Sequence, residues 1–84
     1  MRKSNKEYLR TLREEMSLKC DVEMKMFVSN DAYIDFVNGQ SVSIYDIDDY
    51  YNEYLNVDTD LSFEDYLLQE CIKFVEGKRD LPTT

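Results

Sequence analysis

The side chains of this 84-residue chain that suit acid–base or metal chemistry are carboxylates: there are 18 Asp and Glu, 10 Lys and Arg, and no His. Asp58-Thr59-Asp60-Leu61-Ser62 has the 1, 3, 5 oxygen spacing of a calcium loop. Position 6 is Phe63 in place of Gly and position 12 is Gln69 in place of Glu, so the EF-hand reading fails. Paired carboxylates can serve as general acid and base. A glycosidase must surround a sugar with a cleft, however, and one small layer of core leaves little room for that. Without His there is no base for Ser–His or Cys–His nucleophilic catalysis. Gly39 and Gly77 stand alone, so no phosphate-cradling loop can form. Cys20 and Cys71 have no close-spaced partner, which removes zinc and redox motifs and leaves two buried free thiols as the expectation. The chain reads as a protein that is not an enzyme and uses no metal or cofactor.

The position of the charge is more informative than its total of −8. Residues 1–25 carry a net +2, residues 26–72 a net −11 with no Lys or Arg at all, and residues 73–84 a net +1. With a pI near 4.3, the chain should be repelled by nucleic acid and by anionic membrane, so its expected partners are basic surfaces or cations. Hydrophobic residues make up 43%, enough for one domain over residues 1–84 with one layer of core. No apolar leader follows Met1–Lys6 and no stretch approaches a membrane span, so a cytoplasmic protein is expected.

These residues need elements to position them. Ser4 with Glu7 resembles a capping box, and Tyr8, Leu9, Leu12 and Met16 form one narrow stripe, which predicts a helix over Asn5–Leu18. Its other faces carry Arg2, Lys3, Lys6, Arg10 and Arg13, and Glu15 can pair with Lys19. Cys20, Val22, Met24, Met26 and Val28 alternate with Asp21, Glu23, Lys25 and Phe27, the period of a half-buried strand. A turn at Ser29-Asn30-Asp31 follows. Ala32–Val37 and Ser41–Ile44 then flank Asn38-Gly39, a signal for a two-residue type I′ hairpin. From Asp46 the period becomes helical: Ile47, Tyr50, Tyr51, Tyr54 and Leu55 predict a helix over Asp46–Leu55, with Asp46, Asp49 and Glu53 as a carboxylate row facing solvent. Asn56–Leu61 reads as a polar loop. Ser62 with Asp65 then caps a helix over Phe63–Glu76, ended by Gly77 and expected to be the most buried. Residues 78–84, with Pro82, read as a loose tail. The predicted fold is α+β: an N-terminal helix, a three-stranded antiparallel meander and two C-terminal helices.

Several acids have a structural explanation. Asp46, Asp48, Asp49, Glu64 and Asp65 fall in first helical turns, where the macrodipole favours them; Asp31 suits a turn and Glu70 can pair with Lys73. Asp35, Glu53, Asp58 and Asp60 are not explained in this way, and Asp49 with Glu53 is a like-charge pair one turn apart. Phosphates along one DNA strand rise about 3.4 Å and carboxylates on successive helical turns about 5.4 Å. A row of Asp and Glu can therefore occupy a groove built for a phosphate backbone. Tyr50, Tyr51 and Tyr54 either belong to the core or, where exposed, offer the aromatic anchors that interfaces favour.

The element order, the length and the concentration of acid after the first helix make the chain resemble the small acidic anti-CRISPR proteins of phages, some of which occupy the PAM-binding cleft of Cas9 as DNA mimics. The resemblance implies a stoichiometric inhibitor in a bacterial cytoplasm, with Asp46, Asp48, Asp49, Glu53, Asp58, Asp60, Glu64 and Asp65 meeting the basic surface of a nucleic-acid enzyme. Tyr50 and Tyr54 are candidate anchors beside them. Such a protein binds no nucleic acid or membrane directly and is expected to be a monomer, although an uncovered sheet edge would permit a dimer. The alternative is an interaction or regulatory module, of antitoxin or phage-adaptor type, whose acid is only a solvated face.

Overall fold

Ser4 starts the first helix. Its Oγ accepts the Glu7 N–H at 3.2 Å, and the Tyr8 N–H bonds the Ser4 carbonyl at 3.1 Å. The structure is a computed structural model that describes residues 3–19, 26–30, 32–36, 39–78 and 80–82, with the backbone alone for 19 and 26–30. Helix α1 spans Asn5–Lys19 and buries the expected stripe of Tyr8, Leu9, Leu12 and Met16.

Strand β1 (Met26–Asn30) runs antiparallel to β2 (Tyr33–Phe36), with Met26 opposite Phe36, Phe27 opposite Asp35 and Asn30 opposite Tyr33, and with a register shift between Phe27 and Asn30. Strand β2 is antiparallel to β3 (Ser41–Ser43), with Ile34 opposite Val42. Alternation sends Ile34, Phe36 and Val42 into the core and leaves Tyr33, Asp35 and Ser43 half-buried on the other face. The fold is α+β, with three helices and an antiparallel sheet.

Three local expectations are corrected. Ser29 and Asn30 belong to β1 instead of a turn; Asp31, like the expected strand segment from Cys20 to Lys25, lies outside the described residues. The β2–β3 connection is closed by the Phe36 N–H on the Gln40 carbonyl at 2.8 Å and the Gly39 N–H on the Phe36 carbonyl at 3.0 Å. Three positions, 37–39, therefore lie between the hydrogen-bonded residues Phe36 and Gln40 instead of the two of a type I′ turn. Asn38 is outside the described residues, while Gly39 has φ +89°, the left-handed region a glycine tolerates. Strand β3 ends at Ser43, and Ile44 opens helix α2 (Ile44–Leu55) two residues earlier than periodicity predicts. The cause is a capping box. The Ser43 Oγ accepts the Tyr45 and Asp46 N–H groups at 3.2 and 3.4 Å, and the Asp46 carboxylate accepts the Ser43 N–H at 2.7 Å.

Helix α3 (Phe63–Val75) is capped by Ser62, whose Oγ accepts the Asp65 N–H at 3.3 Å. Its C-terminus closes with the Lys78 N–H on the Lys73 carbonyl at 2.8 Å and the Gly77 N–H on the Phe74 carbonyl at 3.1 Å. This is a Schellman motif, and Gly77 supplies the positive φ it requires, +78°. As expected, α3 is the most buried helix, with Phe63, Tyr66, Leu67, Leu68, Cys71, Phe74 and Val75 all in the interior. Cys71 is buried and forms no disulfide; Cys20 lies outside the described residues. The three helices pack on one another, α1 also touches β2, and Leu81 packs against the core from the C-terminal segment. Among the described residues, no helix is long and apolar enough to cross a membrane.

Candidate functional site

The acidic stretch is positioned by an aromatic hub. Phe63, the first residue of α3, sits 4.9 Å from the Tyr8 ring at 85° and 4.9 Å from the Tyr51 ring at 86°, both edge-on. Tyr54 lies 5.4 Å from Phe63 and 5.3 Å from Tyr66. Rings from all three helices thus meet where α3 begins. The Tyr54 hydroxyl donates to the Leu61 carbonyl at 2.6 Å, and the Leu61 N–H bonds the Thr59 Oγ1 at 3.2 Å. At the other end of the connection, the Asn56 and Val57 N–H groups bond back to the Glu53 and Tyr54 carbonyls at 3.0 and 3.2 Å. Residues 56–62 are therefore tied at both ends, and Asp58 and Asp60 stand exposed between the ties.

The candidate acids separate by what they touch. Asp46 is half-buried and occupied by the α2 capping box. Asp48 is exposed and accepts from the Asn5 Nδ2 at 3.0 Å, an amide that also bonds the Ile44 carbonyl at 2.9 Å. Glu64 accepts from the Lys3 ammonium. Glu53 accepts from the Tyr66 hydroxyl. Asp49 is half-buried, while Asp58, Asp60 and Asp65 are exposed; these four have no side-chain partner among the described residues. Glu70 pairs with Lys73 at 2.9 Å, as its spacing predicts; the Lys19 side chain, expected to pair with Glu15, is outside the described residues.

Two site expectations are overturned. Tyr50 is 0% exposed and belongs to the core, so it is no surface anchor, whereas Tyr54 is half-buried in the aromatic hub. The predicted solvent-facing row on α2 does not form either, because Asp46, Asp49 and Glu53 are each half-buried. Two of the three are drawn in by partners: Asp46 closes the α2 capping box, and Glu53 accepts from the hydroxyl of Tyr66 on α3.

Sequence reading also missed Lys3. Although no cation occurs between residues 26 and 72, the fold brings one from the N-terminal segment onto α3. The Lys3 pKa is raised above the ordinary lysine value, first by the hydrogen bond to the Glu64 carboxylate, then by the nearby charges of Glu64 and Glu7. The Ser43 cap did leave a signal, a Ser three residues ahead of an Asp; the Lys3 contact, spanning 61 positions, left none.

Of the oxygens that resembled a calcium loop, only the Ser62 Oγ is taken up by the backbone, accepting the Asp65 N–H; Asp58 and Asp60 stand exposed. Among the described residues, no three Cys, Asp or Glu side chains converge as a metal site. What the arrangement can do is present negative charge: Asp58 and Asp60 from a fixed connection, and Asp65 from the first turn of the helix that follows. No protein-family model, curated protein or solved structure matches the chain.

Proposed function

We propose that this protein is a stoichiometric inhibitor that enters the nucleic-acid-binding cleft of a DNA- or RNA-handling enzyme, such as a CRISPR effector, and blocks target binding by imitating the phosphate backbone. The observation that carries the reading is the trio Asp58, Asp60 and Asp65: exposed, without side-chain partners among the described residues, within 47 consecutive residues that contain no Lys or Arg. Asp65 is favoured by the first turn of α3, but Asp58 and Asp60 lie in no helix, and like charge crowded into one short segment raises self-repulsion that a basic partner converts into attraction. Asp48, Asp49 and Glu64 extend the surface, with Glu64 shared with Lys3. The three strands, taken as one meander β1–β2–β3, form the scaffold on which the helices hold these acids. The proposed inhibitor is a cytoplasmic monomer, performs no catalysis and binds no nucleic acid itself.

Asp58→Lys with Asp60→Lys tests this reading. Both side chains are exposed, so stability should change by less than about 0.5 kcal/mol, while inhibition of the target enzyme should be lost. Capture of a nuclease-treated CRISPR effector or other nucleic-acid enzyme should weaken with salt and be displaced by duplex DNA. An unchanged inhibition constant in the double variant refutes the proposal.

A second reading has its own observation. Leu55, Val57 and Leu61 are 62%, 41% and 37% exposed around the same connection. An interaction module that docks through them would ignore competitor DNA and lose its partner on Leu55→Ser with Leu61→Ser.

A further inference from the structure

Helices α1 and α3 enclose between them a cleft of about 130 Å³. Its floor is apolar: Tyr8 and Leu12 from α1, Leu67 and Leu68 from α3, all buried. Its edge is acidic: Glu15 from α1, and Glu64 and Asp65 from α3. The combination follows from helical spacing. Glu15 stands three positions after Leu12, and Glu64 and Asp65 stand three before Leu67 and Leu68, so each helix places an acid beside its apolar lining residue.

The occupant follows from this chemistry. An anion would meet three carboxylates, and a wholly apolar group would leave those charges facing it. A bare metal ion would need three or more side-chain ligands to converge, and among the described residues no such group forms. A long basic side chain matches both parts, with an apolar stem for the floor and a charged head for the edge. The size also fits, since a cavity of about 150 Å³ admits a six-carbon ring, close to the bulk of an arginine side chain beyond its Cα. The structure already holds one alkylammonium at this edge, where the protein's own Lys3 bonds Glu64. Arginine is favoured over lysine because its planar fork can engage two carboxylates at once, while an ammonium is a more strongly hydrated point charge.

We propose that the α1–α3 cleft is the receptor for one arginine side chain of the partner protein, its stem lying over Tyr8, Leu12, Leu67 and Leu68 and its guanidinium bonded by Glu15 and Asp65. This rests on the reading above that the partner offers a basic surface, and it adds a specific pocket to a diffuse charge. Lys3 acts as an internal competitor for the edge.

The test uses the full ¹⁵N-labelled chain titrated with N-acetyl-arginine amide, N-acetyl-lysine amide and uncharged N-acetyl-citrulline amide. Saturable shifts at the Thr11, Leu12 and Leu68 amides are expected with the arginine probe, with the lysine and citrulline probes weaker by at least about fivefold. Glu15→Gln with Asp65→Asn should weaken the arginine probe by about tenfold. Lys3→Gln, by removing the competitor, should strengthen it by roughly two- to fivefold. Equal response to citrulline or lysine, shifts that do not saturate and spread over Asp48, Asp58 and Asp60, or an unaffected double variant would each overturn the proposal. The two readings fail separately. A flat titration alongside DNA-displaceable capture removes the cleft alone, and a specific titration alongside capture that ignores DNA removes the mimicry alone.

Discussion

Replacing Phe63 with Ala removes the ring on which three helices converge. Phe63 is 7% exposed, and truncating a buried Phe to Ala costs about 3–5 kcal/mol. The upper part of that range applies here, because edge-on contacts to Tyr8 and Tyr51 and a tilted one to Tyr54 are lost together, each worth about 0.5–1.5 kcal/mol beyond area burial. At roughly 0.05–0.15 kcal/mol per residue, a chain of this length has about 4–13 kcal/mol in total, so the substitution removes a third of the stability or more. Urea unfolding followed by circular dichroism reads this directly. With a slope near the small-protein minimum of about 1 kcal/mol per molar, the midpoint should fall by roughly 4 M. Phe63→Leu keeps most of the apolar volume and loses the ring geometry, so it should cost about 1–2 kcal/mol. A loss below about 1 kcal/mol for Phe63→Ala would refute the hub as the anchor of the α2–α3 connection.

Tyr66→Phe removes the donor to the half-buried Glu53 carboxylate and should cost about 1–2 kcal/mol, toward the lower end for a bond to a charged group because solvent reaches the acid. In a Glu53→Met background the same change should cost little more, and a double-mutant cycle in urea measures the difference. Ser43→Ala should cost about 0.5–2 kcal/mol by opening the capping box, read as a melting temperature lowered by roughly 4–8 °C per kcal/mol. Lys3 has its pKa raised by its bond to Glu64, so this pairing contributes fully below the ordinary lysine value and is lost as pH rises through the higher folded value. An NMR titration of the Lys3 side chain should show a midpoint that Glu64→Gln brings down; equal midpoints would refute the pairing.

The helices were legible because their signals are local. The stripe from Tyr8 to Met16, the pairing of Ser62 with Asp65 and the terminal Gly77 each declare themselves within a few positions, and each appears in the structure. The start of α2 was not read correctly, because the β-like pattern through Val42 and Ile44 continues past the cap at Ser43, and the capping box decided the boundary. The site was legible in sign but not in shape. Which acids are free depends on Tyr66, Asn5 and Lys3, whose contacts cross 13, 43 and 61 positions, and no periodicity carries that information. Tyr50 illustrates the ambiguity of tyrosine: its place on the wheel fits both core and surface, and packing against the other helices resolved it toward the core.

Ser43 ends a strand and caps a helix within one residue, so the joint between sheet and α2 has no slack. One residue inserted there would turn the whole of α2 by about 100° and advance it by about 1.5 Å, swinging Ile47 and Tyr50 out toward water. Insertions and deletions that the fold can survive are thereby steered away from this junction and into the segment between Asn56 and Ser62. That segment bears Asp58 and Asp60, so the outline shown to a partner can be recast by changes in length while the scaffold beneath keeps its geometry.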